Sequence, residues 1–384
     1  MNNFMFHIPT KVYFGRGQIK HLTEMAESGK SVLMIYGGGS IKKLGIYNQA
    51  LDCCKEAGLS VYELPGVEPN PRIETVRKGV SLCLKYNIDM VLAVGGGSTI
   101  DCAKIVAAGA KYVGDAWDLV IHPELIQDAL PIYTVLTLAA TGSEMDMIAV
   151  ISDMEKHEKW GTSSPFLKPT MSIMDPEYTY SVSKRQTAAG TADMMSHVLE
   201  NYFTNVEAAD VQRGFAESLL KCIIKYGPIA LASPDNYDAR ANLMWSGSFA
   251  INGLLSNGAE VAWCVHPIEH ELSAFYDITH GEGLAILTTS WMKYVLNDKT
   301  CKKFAAYGRN VWNLNGEDIE VARQSIECTQ KFFDKLGLPR TLPEVGITDD
   351  RYFEIMAEKA SQRCKNSFIP LNKEDIISIL KSSM

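Results

Sequence analysis

Three of the chain's eight histidines, His266, His270 and His280, fall within the single segment HPIEHELSAFYDITH. Upstream, Asp193 and His197 stand four apart in ADMMSHVLE. On a helix that spacing puts both side chains on one face. An aspartate and a histidine so placed can reach one divalent ion, and two imidazoles from a second segment would complete a four-ligand shell. The same Asp-x-x-x-His spacing also arises as a solvated face or a local ion pair, so the residues alone leave both readings open. Pro267 biases His266 away from helical geometry, which places His266 at a helix start.

A second kind of chemistry is written in glycines. Gly37-Gly38-Gly39-Ser40 and Gly95-Gly96-Gly97-Ser98 each follow an apolar, β-branched run and open a helical pattern. Glycine lets backbone approach an anion, and a helix N-terminus offers free N–H groups and the positive end of a dipole. Ser98 is also a candidate helix cap. Neither turn completes G-x-G-x-x-G, because Lys42 and Ile100 hold the last position. Two such turns in one half of a chain favour a nucleotide more than either does singly. A third polar turn, Thr137 to Glu144 (TLAATGSE), could line the same site or be an ordinary Thr/Ser-rich loop.

The elements that must carry these residues change character along the chain. Ser31–Tyr36, Ser60–Leu64, Asp89–Val94, Pro131–Leu136 and Met171–Met174 read as strands, with helical stretches such as Arg72–Tyr86 and Thr99–Ala110 between them. Strand, glycine turn and helix in repetition predict a mostly parallel sheet with helices on its faces. After about residue 180 the strand signals stop. Lys184–Phe203, Ala208–Lys225 and Ala239–Gly253 read as helices, with breaks expected at Gly227-Pro228, Ser233-Pro234 and Gly337-Leu338-Pro339. Two domains are expected, 1–180 and 181–384, with a ligand in the cleft between them.

Composition narrows the functional classes. The 384 residues are 46% apolar and 21% charged, which excludes disorder and a disulfide scaffold. A net charge of −8 argues against sequence-blind nucleic-acid binding. Nine cysteines without CxxC spacing fit a reducing compartment. No secretory leader and no apolar run long enough to span a bilayer are read, so a cytoplasmic protein is expected.

Several long, ordered motifs go further. PTKVYFGRG, EPNP, GGGSTIDCAK, ATGSEMDMIAVIS, TADMMSHVLENYF and the HPIEHELSAFYDITHGEG block resemble, over essentially the full length, the iron-containing (group III) alcohol dehydrogenases. The likeness is strongest to their NADPH-dependent butanol dehydrogenase or broad aldehyde reductase branch. The resemblance implies a Rossmann-like α/β N-terminal domain and an all-α C-terminal domain, the dehydroquinate synthase-like architecture. It puts metal ligands, for Fe²⁺ or Zn²⁺, at Asp193, His197, His266 and His280, and a non-ligand histidine near the nicotinamide at His270. It puts cofactor contacts at Gly37, Gly38, Gly39, Ser40 and Asn70, and at Gly95, Gly96, Gly97, Ser98 and Asp101. Thr137, Leu138, Thr141 and Lys159 complete that set. Asp146 departs from the Thr or Asn of many members.

The implied chemistry is Lewis-acid polarisation of an aldehyde with hydride transfer from a nicotinamide, and His270 as a candidate proton relay or a structural hydrogen bond. In NAD-preferring members an acid stands at the position of Gly39; here GGGSIKK has none, and Lys42 and Lys43 follow, so NADP(H) is expected. Trp263, Leu254, Phe275 and Phe368 suit small aliphatic aldehydes and alcohols over sugars, and a homodimer is expected. Three other readings are a metal-dependent lyase on a phosphorylated substrate, an NAD-linked diol dehydrogenase, and a non-catalytic metal-stapled binding protein.

Overall fold

In a computed structural model that describes residues 1–259 and 263–384, the strands of the N-terminal half assemble into one six-stranded parallel sheet. Its strands are β1 (Lys11–Phe14), β2 (Ser31–Tyr36), β3 (Ser60–Leu64), β4 (Met90–Gly95), β5 (Ile132–Leu136) and β8 (Met171–Met174), in the order β1-β8-β5-β4-β2-β3. The helices of this half are α1 (Ser40–Lys43), α2 (Ile46–Glu56), α3 (Ile73–Tyr86), α4 (Gly97–Gly109) and α5 (Ala116–Ile121). Alternate residues of β2 serve the two faces: Leu33 and Ile35 join the apolar layer under α3, α4 and α5, while Val32, Met34 and Tyr36 join the layer under α2. Burial on both faces explains why β4 reads as an unbroken apolar run.

The topology decides where a ligand belongs. From β2 the chain steps outward to β3, then returns past β2 to β4, so its direction reverses between β2 and β4. In a parallel sheet the crevice beyond the carboxyl ends of the strands at such a reversal is where ligands bind. Tyr36 pairs with Val94 and Gly95 with Leu136, so the Gly37, Gly95 and Thr137 turns leave three adjacent strands side by side.

A β-hairpin, β6 (Ile148–Asp153) and β7 (Glu158–Ser163), stands apart from the sheet, with His157 at φ 51° in its turn. Sequence reading gave neither hairpin strand, nor β1. β7 (EKWGTS) lacks alternation, and β1 is a four-residue edge strand defined only by its pairing with β8.

The C-terminal half is all-helical among the described residues. Its helices are α6 (Lys184–Tyr202), α7 (Asp210–Ala232), α8 (Tyr237–Ile251), α9 (Val265–Tyr276) and α10 (His280–Val295), then α11 (Cys301–Trp312), α12 (Asp318–Lys335), α13 (Phe353–Ser361) and α14 (Lys373–Ser382). The expected turn at Gly227-Pro228 is absent: Pro228 lies inside α7. Proline removes one helical hydrogen bond, yet packing carries the helix through, with Gly227 and Ala230 buried and a Cβ on Gly227 coming within 2.8 Å of Thr191.

The chain divides into two compact units, one of Met1–Phe6, Ser183–Pro234 and Phe249–Met384, the other of His7–Val182 and Asp235–Ser248. Two segments are thus exchanged relative to a cut at residue 180, for visible reasons. Trp245 meets the ring of Phe14, Tyr237 lies under the Arg16 guanidinium at 3.9 Å, and Ser248 bonds Glu144, all within the α/β unit. Asn2 N–H donates to the Gly258 carbonyl at 2.9 Å in the helical unit. All nine cysteines are free, and among the described residues no helix is long and apolar enough to cross a membrane.

Candidate functional site

Helix α6 presents Asp193, His197 and Glu200 along one face, and all three are buried. His266 is the second residue of α9, as Pro267 requires, and His280 the first of α10. These three helices bring three imidazoles to one oxygen. The Nε2 atoms of His197, His266 and His280 stand 3.5, 3.7 and 3.7 Å from Asp193 Oδ1. Bonds of about 2.1 Å at the tetrahedral angle separate two ligand atoms by about 3.4 Å, so the observed edges fit a small divalent ion. Asp193 Oδ1 and His266 Nε2 are buried and have no hydrogen-bond partner, a costly state for polar atoms unless an ion satisfies them. Asp193, His266 and His280 offer ligand atoms all within 4.8 Å of one another; His197 reaches the carboxylate but falls outside that mutual set.

The opposite ring nitrogens are also held. His266 Nδ1 lies 2.5 Å from Glu200 Oε2, and His280 Nδ1 bonds Glu269 Oε2. A carboxylate behind a ligating histidine fixes its tautomer and raises its basicity. Glu200 Oε1 additionally accepts the N–H groups of Cys264 (2.8 Å) and Val265 (2.5 Å), so the same side chain satisfies the N-terminus of the helix that carries His266. Sequence reading missed both glutamates. Glu200 was visible as the next residue of the Asp193, His197 face at helical spacing; Glu269, inside a run of histidines, had no signal of its own.

Burial and charge oppose each other here. Burial disfavours the Asp193 carboxylate, but the His197, His266 and His280 charges outweigh it and hold the group well below the usual range. Burial pushes His197 down to about 4. His266 is also buried, yet the Glu200 and Asp193 carboxylates raise it to about 9. Trp263 walls the cluster edge-on, its ring 4.9 Å from His266. His270 is buried beside the cluster, 5.6 Å from the His280 ring, and groups with Glu269 and His280 in a second set that overlaps the first. Phe275 packs at a tilt on Tyr352 and Phe368 at a tilt on Phe203, so those two rings pack within the helical unit.

In the α/β unit the glycine turns have two different jobs. A Cβ on Gly97 would lie 2.2 Å from Thr141 Oγ1, and one on Gly96 would lie 3.2 Å from Leu138. The absence of side chains therefore lets the Thr137–Thr141 wall close onto the second turn. At Gly38 and Gly39 a Cβ would meet nothing, and Gly39 has φ 99°. Gly96, not Ser98, caps α4; Ser98 sits inside the first turn, so its expected capping role does not occur. Asn70 (φ 52°) accepts a hydrogen bond from the buried Lys159 Nζ at 3.1 Å, which brings EPNP and β7 together.

The TGSE turn rests on buried ionisable groups. Both Asp101 oxygens accept bonds inside the unit, from Ser143 Oγ (2.6 Å) and Val150 N–H (3.0 Å). Lys104, fully buried, donates to Asp146 Oδ1 at 2.6 Å and to the Asp146 and Ile148 carbonyls. The departure at Asp146 thus has a partner: its carboxylate neutralises Lys104 under the turn. Burial pushes Glu144 up to about 7 from the ordinary 4.5. The folded state then holds a proton that the unfolded chain releases, so this group's contribution is full below pH 4.5 and lost as pH rises through 7. Glu144→Gln is expected to flatten the fall in melting temperature between pH 5 and 8, removing up to about 3 kcal/mol of pH dependence. An unchanged profile would show that Glu144 is charged when folded.

The iron-containing alcohol dehydrogenase profile matches residues 9–176, and the C-terminal profile of the Fe-containing alcohol dehydrogenase family matches 187–384. The chain is 54% identical to NADH-dependent butanol dehydrogenase A of Clostridium acetobutylicum, each covered completely. It is 40% identical to the NADPH-dependent aldehyde reductase YqhD of Escherichia coli over 90% of both. The crystal structure of NADH-dependent butanol dehydrogenase A from Thermotoga maritima superimposes with a TM-score of 0.95 at 40% identity, covering 100% of this chain and 99% of that one. With a divalent-metal site on its helices and a dinucleotide-type sheet before it, the chain belongs to the iron-containing alcohol dehydrogenase family and is an oxidoreductase.

Proposed function

We propose that the protein reduces small aliphatic aldehydes to primary alcohols of the butanol type with NADPH, and runs the reverse reaction with NADP⁺. The observation that carries this reading is the convergence of three imidazole Nε2 atoms on Asp193 Oδ1. Asp193, His197, His266 and His280 would hold the ion. A divalent ion there supplies Lewis acidity toward a carbonyl oxygen, and the nicotinamide supplies the hydride. The chain's own residues do the rest. Glu200 and Glu269 orient two ligating rings. Trp263 shields the cluster from water. The Gly37–Ser40 and Gly95–Ser98 turns, with Asn70, Thr137, Leu138, Thr141 and Lys159, cradle the cofactor, and Asp101 braces the TGSE turn from beneath.

His270 is proposed to pass a proton between solvent and the product oxygen. His270→Gln is expected to keep the metal, lower kcat at least tenfold and change the pH profile of kcat. Loss of metal instead would place His270 among the ligands.

The relatives carry both cofactor names, so the choice of NADPH rests on this chain's residues. Gly39 offers no carboxylate to a ribose hydroxyl and leaves open space where a 2′-phosphate could sit. The deciding experiment is kcat/KM for butanal with each cofactor, with Gly39→Asp expected to shift preference toward NADH. Equal or better efficiency with NADH in the unmodified protein would mean that no 2′-phosphate site exists. A lyase acting on a phosphorylated substrate would need cations to hold the phosphate. Two arginines that touch the metal-bearing helices, Arg185 and Arg363, are instead paired with Glu282 and Glu271.

A further inference from the structure

Next to the Gly37–Ser40 turn, four side chains close on one another. Lys42, in α1, lays its ammonium over two rings, 4.5 Å from the centre of Tyr47 and 5.0 Å from that of Tyr36. Both tyrosine hydroxyls donate to a single carboxylate, Tyr36 to Glu63 Oε2 at 2.6 Å and Tyr47 to Glu63 Oε1 at 2.8 Å. The sheet builds this contact. Glu63 of β3 lies opposite Met34 of β2, two residues before Tyr36, so Glu63 and Tyr36 share the face on which α2 packs.

The cluster adjoins the turn itself. Tyr36 is the last residue of β2, Gly37 follows it, and the Lys42 N–H donates to the Gly39 carbonyl at 3.1 Å. Lys42, three residues beyond Gly39, is therefore held over two rings whose hydroxyls both bond a carboxylate that offsets its charge. Lys42 and Glu63 are both exposed, so water and salt reach the pair.

We propose that Glu63 is a specificity-determining residue for the cofactor. Through Tyr36 and Tyr47 it holds Lys42 at the turn, and its charge limits how strongly Lys42 attracts a 2′-phosphate. The inference rests on the reading that this turn receives the adenosine 2′ end. It adds that preference for NADPH over NADH is held below what Lys42 alone would give. Glu63→Gln keeps an acceptor and a donor for the two hydroxyls while removing the charge, so it unmasks the lysine. Lys42→Met removes the attraction.

The test measures dissociation constants by calorimetry for adenosine 2′,5′-bisphosphate and adenosine 5′-monophosphate, with NADP⁺ and NAD⁺ as a second pair. Glu63→Gln is expected to raise the preference for the 2′-phosphorylated member of each pair about three- to fivefold, the size of one exposed charge–charge effect. Lys42→Met is expected to lower it by a similar factor. Both shifts should shrink in 0.5 M salt, a dependence that a purely structural role would not produce. An unchanged or reduced 2′-phosphate preference in Glu63→Gln overturns the inference while leaving the turn assignment standing. If the unmodified protein and both variants bind the two members of each pair alike, the turn does not receive the 2′ end and the parent reading fails with it.

Discussion

His280→Ala is expected to strip the protein of its metal and lower aldehyde reduction by at least about a thousandfold, more than the 10- to 100-fold typical of an outer partner. His280 supplies one of the three Nε2 atoms around Asp193 Oδ1. Removing it leaves an incomplete shell that water can fill but does not hold in place. The fold should survive. The first turn of α10 is secured independently by the Thr279 carbonyl, which accepts from Glu282 and Gly283, and by the Arg185–Glu282 pair. Glu269 loses the imidazole it bonds, yet keeps the Ser273 hydroxyl, so a stability loss of about 1–3 kcal/mol is expected. Metal analysis and a thermal melt read both arms. Full metal occupancy in His280→Ala would remove this residue from the ligand set.

Gly281→Ala tests how the helices set the ligand positions. A Cβ at Gly281 would sit 2.1 Å from the Ala189 carbonyl oxygen, inside the backbone of α6. No side chain can turn aside there, so α10 and α6 must move apart. Ala189 lies one helical turn before Asp193, and Gly281 directly follows His280. The displacement therefore opens the distance between Asp193 and His280. Overpacking of this kind costs about 1–3 kcal/mol or more, and a shift near 1 Å at reacting groups costs about a hundredfold in rate. Gly281→Ala should show a lower melting temperature, weaker metal binding and kcat/KM reduced at least about a hundredfold. Native stability with native activity would mean that the helices are not in contact at this point.

Much of the site was legible because its residues follow the periods of their elements. Asp193 and His197 share a helix face by spacing alone, Pro267 put His266 at a helix start, and both glycine turns stood between strand and helix patterns. Legibility stopped where partners come from distant segments. Glu269 supports His280 across a tertiary contact, and Asp146 is explained only once Lys104 is seen beneath it. The hairpin strand that carries Lys159 has too little alternation to announce itself. Pro228 fails as a punctuation mark because packing on Gly227 and Ala230 outweighs the hydrogen bond that proline removes. Lys42 looked like a cation available to a phosphate; its rings and Glu63 lie in other elements.

One divalent ion, held by Asp193, His197, His266 and His280, is proposed to be required for aldehyde reduction. The most direct test of that requirement is titration of Fe²⁺ or Zn²⁺ into chelator-stripped protein, with bound metal and butanal-dependent NADPH oxidation followed together. Activity is expected to be absent without metal, to rise in proportion to the ion bound, and to saturate at one ion per chain. Full activity in the metal-free protein would contradict it.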